Sequence, residues 1–239
     1  MATVARAWKV PPQGRTSLPA GASPRGTACR RGRYTTPTFT PPPPVSSLEI
    51  VAALVGALSV WLSTRQSLWS WPTAIVNVSL YAVVFHGARL YADMGLQVVY
   101  AALSVYGWWQ WRFGGAAHTP RPVSRTPARE WPLLAAAAVG GALFMGWAFA
   151  RWTDAAIPYV DSALTATSLV AQWMMTRKQL ENWLVWIAVD VVYVPVFATR
   201  GLPATAALYA VFLALAVAGW VAWRRDWRAH RGAPLPAPS

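Results

Sequence analysis

The chain has 239 residues, of which 55% are hydrophobic and only 12% charged, and its formal net charge is +13. A soluble domain carries about 25% charged residues, so this composition excludes an ordinary soluble protein and favours an integral membrane protein. Nucleic-acid binding is the weaker interpretation of the charge, because Lys and Arg are expected in loops beside membrane helices.

Residues 1–45 form a basic, Pro-rich tail that ends in four consecutive prolines. The tail lacks the apolar stretch of a signal peptide, and its composition is typical of disorder. One hypothesis is that part or all of it reflects a mis-assigned translation start, with the true start near Val45. The single cysteine, Cys29, lies in this tail, so the sequence predicts no disulfide framework.

The rest of the chain predicts an all-α membrane protein with seven transmembrane helices. Apolar runs of about 20 residues match the thickness of the bilayer core. Such runs occupy residues 48–64, 70–87, 90–111, 131–149, 157–176, 183–199 and 202–223.

The sequence also repeats itself without gaps at an offset of 112 residues. Residues 46–112 form the first copy and residues 159–224 the second. The matched pairs include Trp61 with Trp173, Trp71 with Trp183, Tyr81 with Tyr193, Phe85 with Phe197, Gly107 with Gly219, and Trp111 with Trp223. A fixed period of this length indicates two copies of one structural unit.

The predicted arrangement is therefore three helices, one connecting helix and three more helices. Residues 113–158 supply a basic loop and the connecting helix. A single connector returns the second copy to the membrane in the same orientation as the first, which predicts parallel repeats around an axis along the membrane normal. Two such copies usually enclose a path for a solute.

Loop charges predict the orientation in the membrane. One side carries eleven Lys and Arg residues and the other side three. The positive-inside rule then places the C-terminal tail, residues 225–239, in the cytoplasm and the N-terminus outside.

The sixth helix contains the strongest candidate for a binding site. Trp183, Trp186 and Asp190 share one helix face. Two indoles above a carboxylate suit a flat, cationic, aromatic ligand, because the rings stack on it and attract its charge. The alternative is that both Trp residues belong to the interfacial aromatic belt.

Further polar residues inside the predicted spans are candidates for ligand contacts, since polar groups in lipid usually face the bundle interior. Gln97 and Tyr100 share a face of the third helix with Ser104. The remaining candidates are Asn77 in the second helix, Thr165 and Gln172 in the fifth, and Tyr193 in the sixth. Helix–helix hydrogen bonding is the alternative role for such residues.

Several other classes of protein find little support. The sequence has no Gly-rich phosphate loop followed by Lys, no metal-ligand cluster, and no residues that indicate a cofactor. A membrane-embedded enzyme would need more catalytic carboxylates at one depth than Asp190 and the end-lying Asp161. A retinal-type sensor would need a Lys in the last span, and residues 202–223 contain none.

Several segments resemble the PnuC-type nicotinamide riboside transporter family. They are Leu90-Tyr91-Ala92-Asp93, Leu96-Gln97, Tyr106-Gly107-Trp108-Trp109 with Trp111, Met175-Thr176-Arg177-Lys178, and Glu181-Asn182-Trp183-Leu184-Val185-Trp186. The resemblance covers about residues 46–224, and the Glu-Asn-Trp-x-x-Trp segment is its most specific part.

This resemblance implies a three-one-three fold similar to that of SWEET sugar transporters, assembled as a homotrimer. It implies facilitated diffusion of a vitamin-like substrate across the bacterial inner membrane, followed by trapping through cytoplasmic phosphorylation. It also places Trp183 and Trp186 in the ligand site. The expected partners are thus a small-molecule substrate, membrane lipid and further copies of the chain.

Substrate and energy coupling stay open at this point. Some members of the family have Asn where this chain has Asp190, and related transporters take thiamine or other vitamins. Thiamine is also an aromatic cation, so it fits the same residues. Asp190 is either a counter-ion for the ligand or a proton-coupling site.

Overall fold

The computed structural model describes residues 47–87, 91–152, 158–199 and 202–232. Hypotheses about the N-terminal tail therefore lie outside the described residues. Within those residues the fold is all-helical, with seven α-helices and two short 3₁₀ turns, Ala116–His118 and Ala128–Glu130. The helices are α1 (Ser47–Thr64), α2 (Ser70–Gly87), α3 (Tyr91–Phe113), α4 (Trp131–Trp152), α5 (Pro158–Thr176), α6 (Asn182–Thr199) and α7 (Pro203–Gly232).

Four helical stretches are long and apolar enough to cross a membrane: Ser47–Thr64, Ala128–Trp152, Asn182–Thr199 and Pro203–His230. The other three helices, α2, α3 and α5, carry more polar residues. Large apolar side chains cover the outside of the bundle, as Leu133 (71% exposed) and Phe144 (67% exposed) do on α4. Such an apolar outer surface is what a lipid environment requires.

Helix packing follows the chain order in two groups. Helix α2 packs against α1 and α3, while α6 packs against α5 and α7. Helix α4 packs against α5, and the two groups meet through contacts of α1 with α7 and of α3 with α5.

Two glycines let tryptophan rings approach helix backbones closely. A Cβ atom on Gly107 would lie 2.2 Å from the ring of Trp71, and one on Gly219 would lie 2.5 Å from the ring of Trp183. Both distances are far below van der Waals contact, so no larger residue fits without displacing the ring. Glycine in a membrane helix commonly allows such close packing, and it does so at the same position in both copies of the repeat.

Four tryptophans form the core at the end of the bundle where α1 and α5 end. Trp71 meets Trp111 edge-to-face at 5.2 Å, Trp183 meets Trp223 at 5.4 Å, and Trp111 and Trp223 lie 5.7 Å apart. Edge-to-face pairs at such distances add to the stability gained from burying the rings.

Two hydrogen bonds from this cluster cross between the groups of helices. Trp111 Nε1 donates to the carbonyl oxygen of Met175 at 3.0 Å, and Trp223 Nε1 donates to that of Ser63 at 3.1 Å. Ser63 and Met175 are 112 residues apart, as are Trp111 and Trp223. Each copy thus donates to the other at the equivalent position.

The segment between α3 and α4 lies across the turn between α5 and α6. Ser124 N donates to Lys178 O at 3.0 Å, and Leu180 N donates to Ser124 O at 2.8 Å. Arg125 and Thr126 then donate to the carboxylate of Glu181 at 2.8–2.9 Å. Burial opposes ionisation of Glu181, but these hydrogen bonds outweigh it, and the pKa of the carboxyl is lowered. The glutamate of the most specific sequence segment is therefore a structural anchor.

Candidate functional site

A cavity of about 220 Å³ lies between the two groups of helices. Most of its wall consists of residues that are paired by the 112-residue repeat. The pairs are Gly56 with Ser168, Val60 with Gln172, Ser63 with Met175, Trp71 with Trp183, Ala74 with Trp186, Asn77 with Val189, Val78 with Asp190, Tyr81 with Tyr193, Gln97 with Tyr209, Tyr100 with Phe212, and Ser104 with Ala216. The cavity thus lies where the two copies face each other.

The paired positions differ strongly in chemistry, which makes the cavity polar on selected sides only. Asp190 has Val78 as its counterpart and Trp186 has Ala74, so the second copy alone supplies the carboxylate and the central indole. Gln97 has Tyr209 as its counterpart, so this amide comes from the first copy. A ligand in the cavity therefore meets different groups on each side.

Asp190 is the charged residue of the cavity wall. It is 3% exposed, and no Lys, Arg or His among the described residues lines the cavity with it. None of the described residues forms an ion pair or a hydrogen bond with its carboxylate. Buried carboxylates in membrane proteins are normally paired, so this one is free to serve a cationic ligand.

The two tryptophans of α6 have different environments. Trp183 is 1% exposed and held between Gly219 and Trp223, which rules out the interfacial belt as its location. Its indole N–H has no hydrogen-bond partner among the described residues. Trp186 is only partly buried and lies one turn further along the cavity wall. Trp186 is therefore the more accessible stacking surface, and Trp183 forms a fixed wall.

The third helix contributes polar groups to the cavity. Gln97 is 5% exposed and Tyr100 8% exposed, and both line the wall. The Tyr100 hydroxyl lies near Ser168 but makes no hydrogen bond of good geometry within the described part of the chain. An amide and a phenol with unused hydrogen-bonding capacity can bind ribose hydroxyls or a carboxamide.

Asn77 is partly committed to the fold. Its Nδ2 donates to the carbonyl oxygen of Ala52 at 2.6 Å, and the small residue Gly56 leaves room for the amide. Asn77 also lines the cavity. The hydrogen bond fixes the orientation of its amide group there.

A family model described as "Nicotinamide mononucleotide transporter" matches residues 46–225 of this chain. The chain belongs to the nicotinamide mononucleotide transporter family. This confirms the resemblance to PnuC-type transporters that the sequence motifs carry.

Individual members of the family are similar over most of their length. A protein of Escherichia coli (strain K12) named "Nicotinamide riboside transporter PnuC" is 27% identical over 75% of this chain and 85% of its own length. "Riboflavin/roseoflavin transporter RibM" of Streptomyces davaonensis is 31% identical over 78% of this chain and 91% of its own length. A solved structure described as "Crystal structure of the Vitamin B3 transporter PnuC" is 28% identical, with a TM-score of 0.61 over 77% of this chain and 83% of that chain.

In this member of the family the cavity includes all but one of the residues that the sequence nominates. The exception is Thr165, which is buried beside Tyr193 and does not line the wall. The role of Thr165 as a ligand contact stays a prediction. Tyr193 does line the cavity, stacked on Phe197 at 5.3 Å.

Several residues that line the cavity are not among those that the sequence nominates. They include Tyr81, Tyr209 and Phe212. These three are the repeat partners of Tyr193, Gln97 and Tyr100, each at an offset of 112. The repeat itself was therefore the signal that would have found them.

Proposed function

We propose that this chain is a multi-pass transporter of the bacterial inner membrane that carries nicotinamide riboside. The observation that supports this most is the unpaired, buried carboxylate of Asp190 in a cavity that Trp186 also lines. Nicotinamide riboside has a flat pyridinium cation and a neutral ribose. The carboxylate balances the cation, the indole stacks on the ring, and Gln97, Gln172 and Tyr100 bind the neutral polar groups.

We further propose that the seven helices form the three-one-three arrangement of two parallel repeats similar to SWEET transporters. Support comes from the reciprocal hydrogen bonds of Trp111 and Trp223, which join equivalent ends of the two copies. With the basic loops on the cytoplasmic side, the tryptophan cluster lies at the cytoplasmic end of the cavity, the C-terminus is inside and the N-terminus outside. By resemblance to the family, the assembly is a homotrimer.

Riboflavin is the second candidate substrate, because a riboflavin/roseoflavin transporter is among the relatives. Riboflavin is uncharged and offers nothing to neutralise a buried carboxylate. Leaving such a carboxylate unpaired costs several kcal/mol. Asp190 therefore favours a cationic ligand, either nicotinamide riboside or the alternative cation thiamine.

The mode of transport that we propose is facilitated diffusion. In the part of the chain that the structure describes, Asp190 is the single carboxylate on the cavity wall, and no His or Lys lines the wall with it to relay a proton. In this scheme a cytoplasmic kinase phosphorylates the riboside and thereby traps it. The phosphorylated product cannot return easily, since the cavity has no basic residue to replace the hydration of a phosphate. The protein itself carries out no chemical step.

The experiment that tests this function is a calorimetric binding screen of the purified full chain. The ligands are nicotinamide riboside, nicotinamide mononucleotide, thiamine and riboflavin. We expect the riboside to bind most tightly and the mononucleotide far more weakly. Tightest binding of riboflavin would overturn the assignment, and tightest binding of thiamine would replace the substrate while keeping the role of Asp190.

A further inference from the structure

A second cavity of about 220 Å³ opens at the end of the bundle that carries the turn between α5 and α6. It is separate from the cavity described above, and the two share no lining residue. Its wall consists of Arg125, Leu180, Trp220, Arg224, Trp227 and Arg228. Three guanidinium groups and two indoles thus surround one small space.

The charge of this wall is positive and incompletely neutralised. No carboxylate from the described ranges lines the cavity. Arg125 is paired with Glu181 at 2.8 Å, yet 61% of its side chain stays exposed. Within the described ranges, neither Arg224 nor Arg228 forms an ion pair with an acidic residue. Two positive charges therefore remain available to an anion.

Aromatic stacking holds two of these guanidinium groups in place. Arg125 lies over the ring of Trp227 at 5.6 Å, and Arg224 lies over that of Trp220 at 5.7 Å. Stacked guanidinium groups are preorganised, so they lose less freedom when they bind a ligand. Leu180 adds a buried apolar side chain to the wall.

The first copy of the repeat does not build this site. Trp220 and Arg224 correspond to Trp108 and Arg112, but Trp227 and Arg228 correspond to Gly115 and Ala116. Arg112 instead stacks on Phe113 at 5.4 Å. Trp227 and Arg228 therefore occur in the second copy only, and the three-helix unit folds without them in the first copy.

The cavity also lies at the level of the membrane surface. The last span runs from Pro203 to His230, which is 28 residues. At 1.5 Å per residue this helix is about 42 Å long, whereas the hydrocarbon core is about 30 Å thick. Its last turns, with Arg224 and Arg228, therefore extend into the headgroup region or beyond.

We propose that this second cavity binds a phosphate group. Guanidinium groups match the geometry of phosphate oxygens and form charge-assisted hydrogen bonds with them. The phosphate belongs either to the headgroup of an anionic phospholipid or to a soluble phosphate ester, since both present the same oxyanion. This site does not depend on the substrate of the main cavity.

The test uses the purified full chain in two arms. In the first, inorganic phosphate is titrated into detergent-solubilised protein by calorimetry, at an ionic strength held constant with chloride. In the second, native mass spectrometry counts phosphatidylglycerol molecules retained by the protein, with phosphatidylcholine as the reference lipid. Binding of phosphate alone identifies a soluble ester as the ligand, and retention of phosphatidylglycerol alone identifies a lipid headgroup.

The test variant combines Arg224→Gln with Arg228→Gln. Arg225→Gln is the matched control, because Arg225 is an exposed neighbour on α7 that does not line the cavity. We expect the double variant to lose about tenfold or more in affinity, the scale of one charge-assisted hydrogen bond, and the control to stay within about twofold. Arg228→Gln alone serves if the double variant fails to fold.

Three results would overturn the proposal. They are unchanged binding in the cavity variants, equal weakening in Arg225→Gln, and no binding of either probe by the wild type.

Discussion

Lys178 Nζ donates a hydrogen bond to Gln66 Oε1 at 3.3 Å, and these two residues occupy the same position in the two copies of the repeat. Both have a positive φ, 50° for Lys178 and 54° for Gln66, in turns of the same hydrogen-bonding pattern. Gln66 also donates to Asp226 at 3.1 Å, and Lys178 lies 4.6 Å from the ring of Trp111. The two copies are therefore joined at this end of the bundle by a buried lysine.

The first prediction concerns the effect of pH on this lysine. Burial lowers the pKa of Lys178 from 10.5 to about 8, against the attraction of Asp226. Between these pH values the unfolded chain binds more protons than the folded chain, so the free energy of unfolding rises with pH. From pH 7 to 9.5 we expect the wild type to gain about 1–2 kcal/mol relative to Lys178→Gln.

Thermal unfolding of both proteins in detergent across this pH range measures the difference. Lys178→Gln is the matched variant because it places the residue of the first copy in the second turn. A difference that does not change with pH would show that Lys178 titrates near its ordinary value in the folded protein.

The second prediction concerns the close approach of Trp71 to Gly107. Gly107→Ala places a methyl group where the ring lies, and such overpacking costs about 1–3 kcal/mol. Gly140→Ala is the control, because a Cβ there has no neighbour within 4 Å, and we expect it to be neutral or stabilising by up to about 1 kcal/mol. Equal thermal midpoints for the two variants would contradict the packing described for Trp71.

The third prediction concerns Trp186 as a stacking surface. Trp186→Ala should weaken binding of nicotinamide riboside by about 1–3 kcal/mol, through loss of stacking and of the attraction between the cation and the indole. Trp69→Ala removes an indole that is 71% exposed and does not line the cavity, so this variant should bind the riboside as the wild type does. Calorimetry measures the affinity of both variants for the riboside. Unchanged affinity in well-folded Trp186→Ala would contradict an aromatic contact between Trp186 and the ligand.

The fourth prediction separates a counter-ion from a proton-coupling role for Asp190. Asp190→Asn keeps the shape of the side chain but removes the charge, so it should weaken binding of the cationic riboside and strengthen binding of uncharged riboflavin. If Asp190 is a counter-ion, both proteins equilibrate the riboside in vesicles, and an imposed pH gradient alters neither final level. Gradient-driven accumulation by the wild type that is lost in Asp190→Asn would contradict facilitated diffusion.

The sequence predicts the helices well because their signals are local. An apolar run of the right length identifies a membrane helix, and the described helices α1 to α6 begin and end within a few residues of the predicted spans. Helix α7 begins as predicted but continues to Gly232, beyond the predicted end at residue 223. The sequence also indicates close packing at Gly107 and Gly219, because a glycine recurs before Trp at the same position in both copies.

The candidate site is only partly predictable, because its wall depends on how the two copies face each other. Helical spacing places Trp183, Trp186 and Asp190 on one face, and all three line the cavity. Spacing does not reveal that Trp183 is enclosed by Gly219 and Trp223, since those residues come from another helix. Spacing also does not reveal that Thr165 lies beside Tyr193, because that tyrosine comes from α6.

The anchoring role of Glu181 was also beyond sequence reasoning. Its partners, Arg125 and Thr126, come from the segment between α3 and α4, 55 and 56 residues away. The sequence shows that segment only as a basic loop, and basic loops are expected beside membrane helices in any case. A specific contact between two loops has no periodic signal.

Uptake of labelled substrate into proteoliposomes tests the central claim most directly. The purified chain is reconstituted without ATP or a kinase, and entry of labelled nicotinamide riboside is compared with that of labelled nicotinamide mononucleotide and with protein-free vesicles. The cavity has a carboxylate and no basic residue on its wall, so we expect the riboside to equilibrate and the mononucleotide to stay outside. Equal entry of both compounds, or no entry of the riboside above protein-free vesicles, would contradict the account.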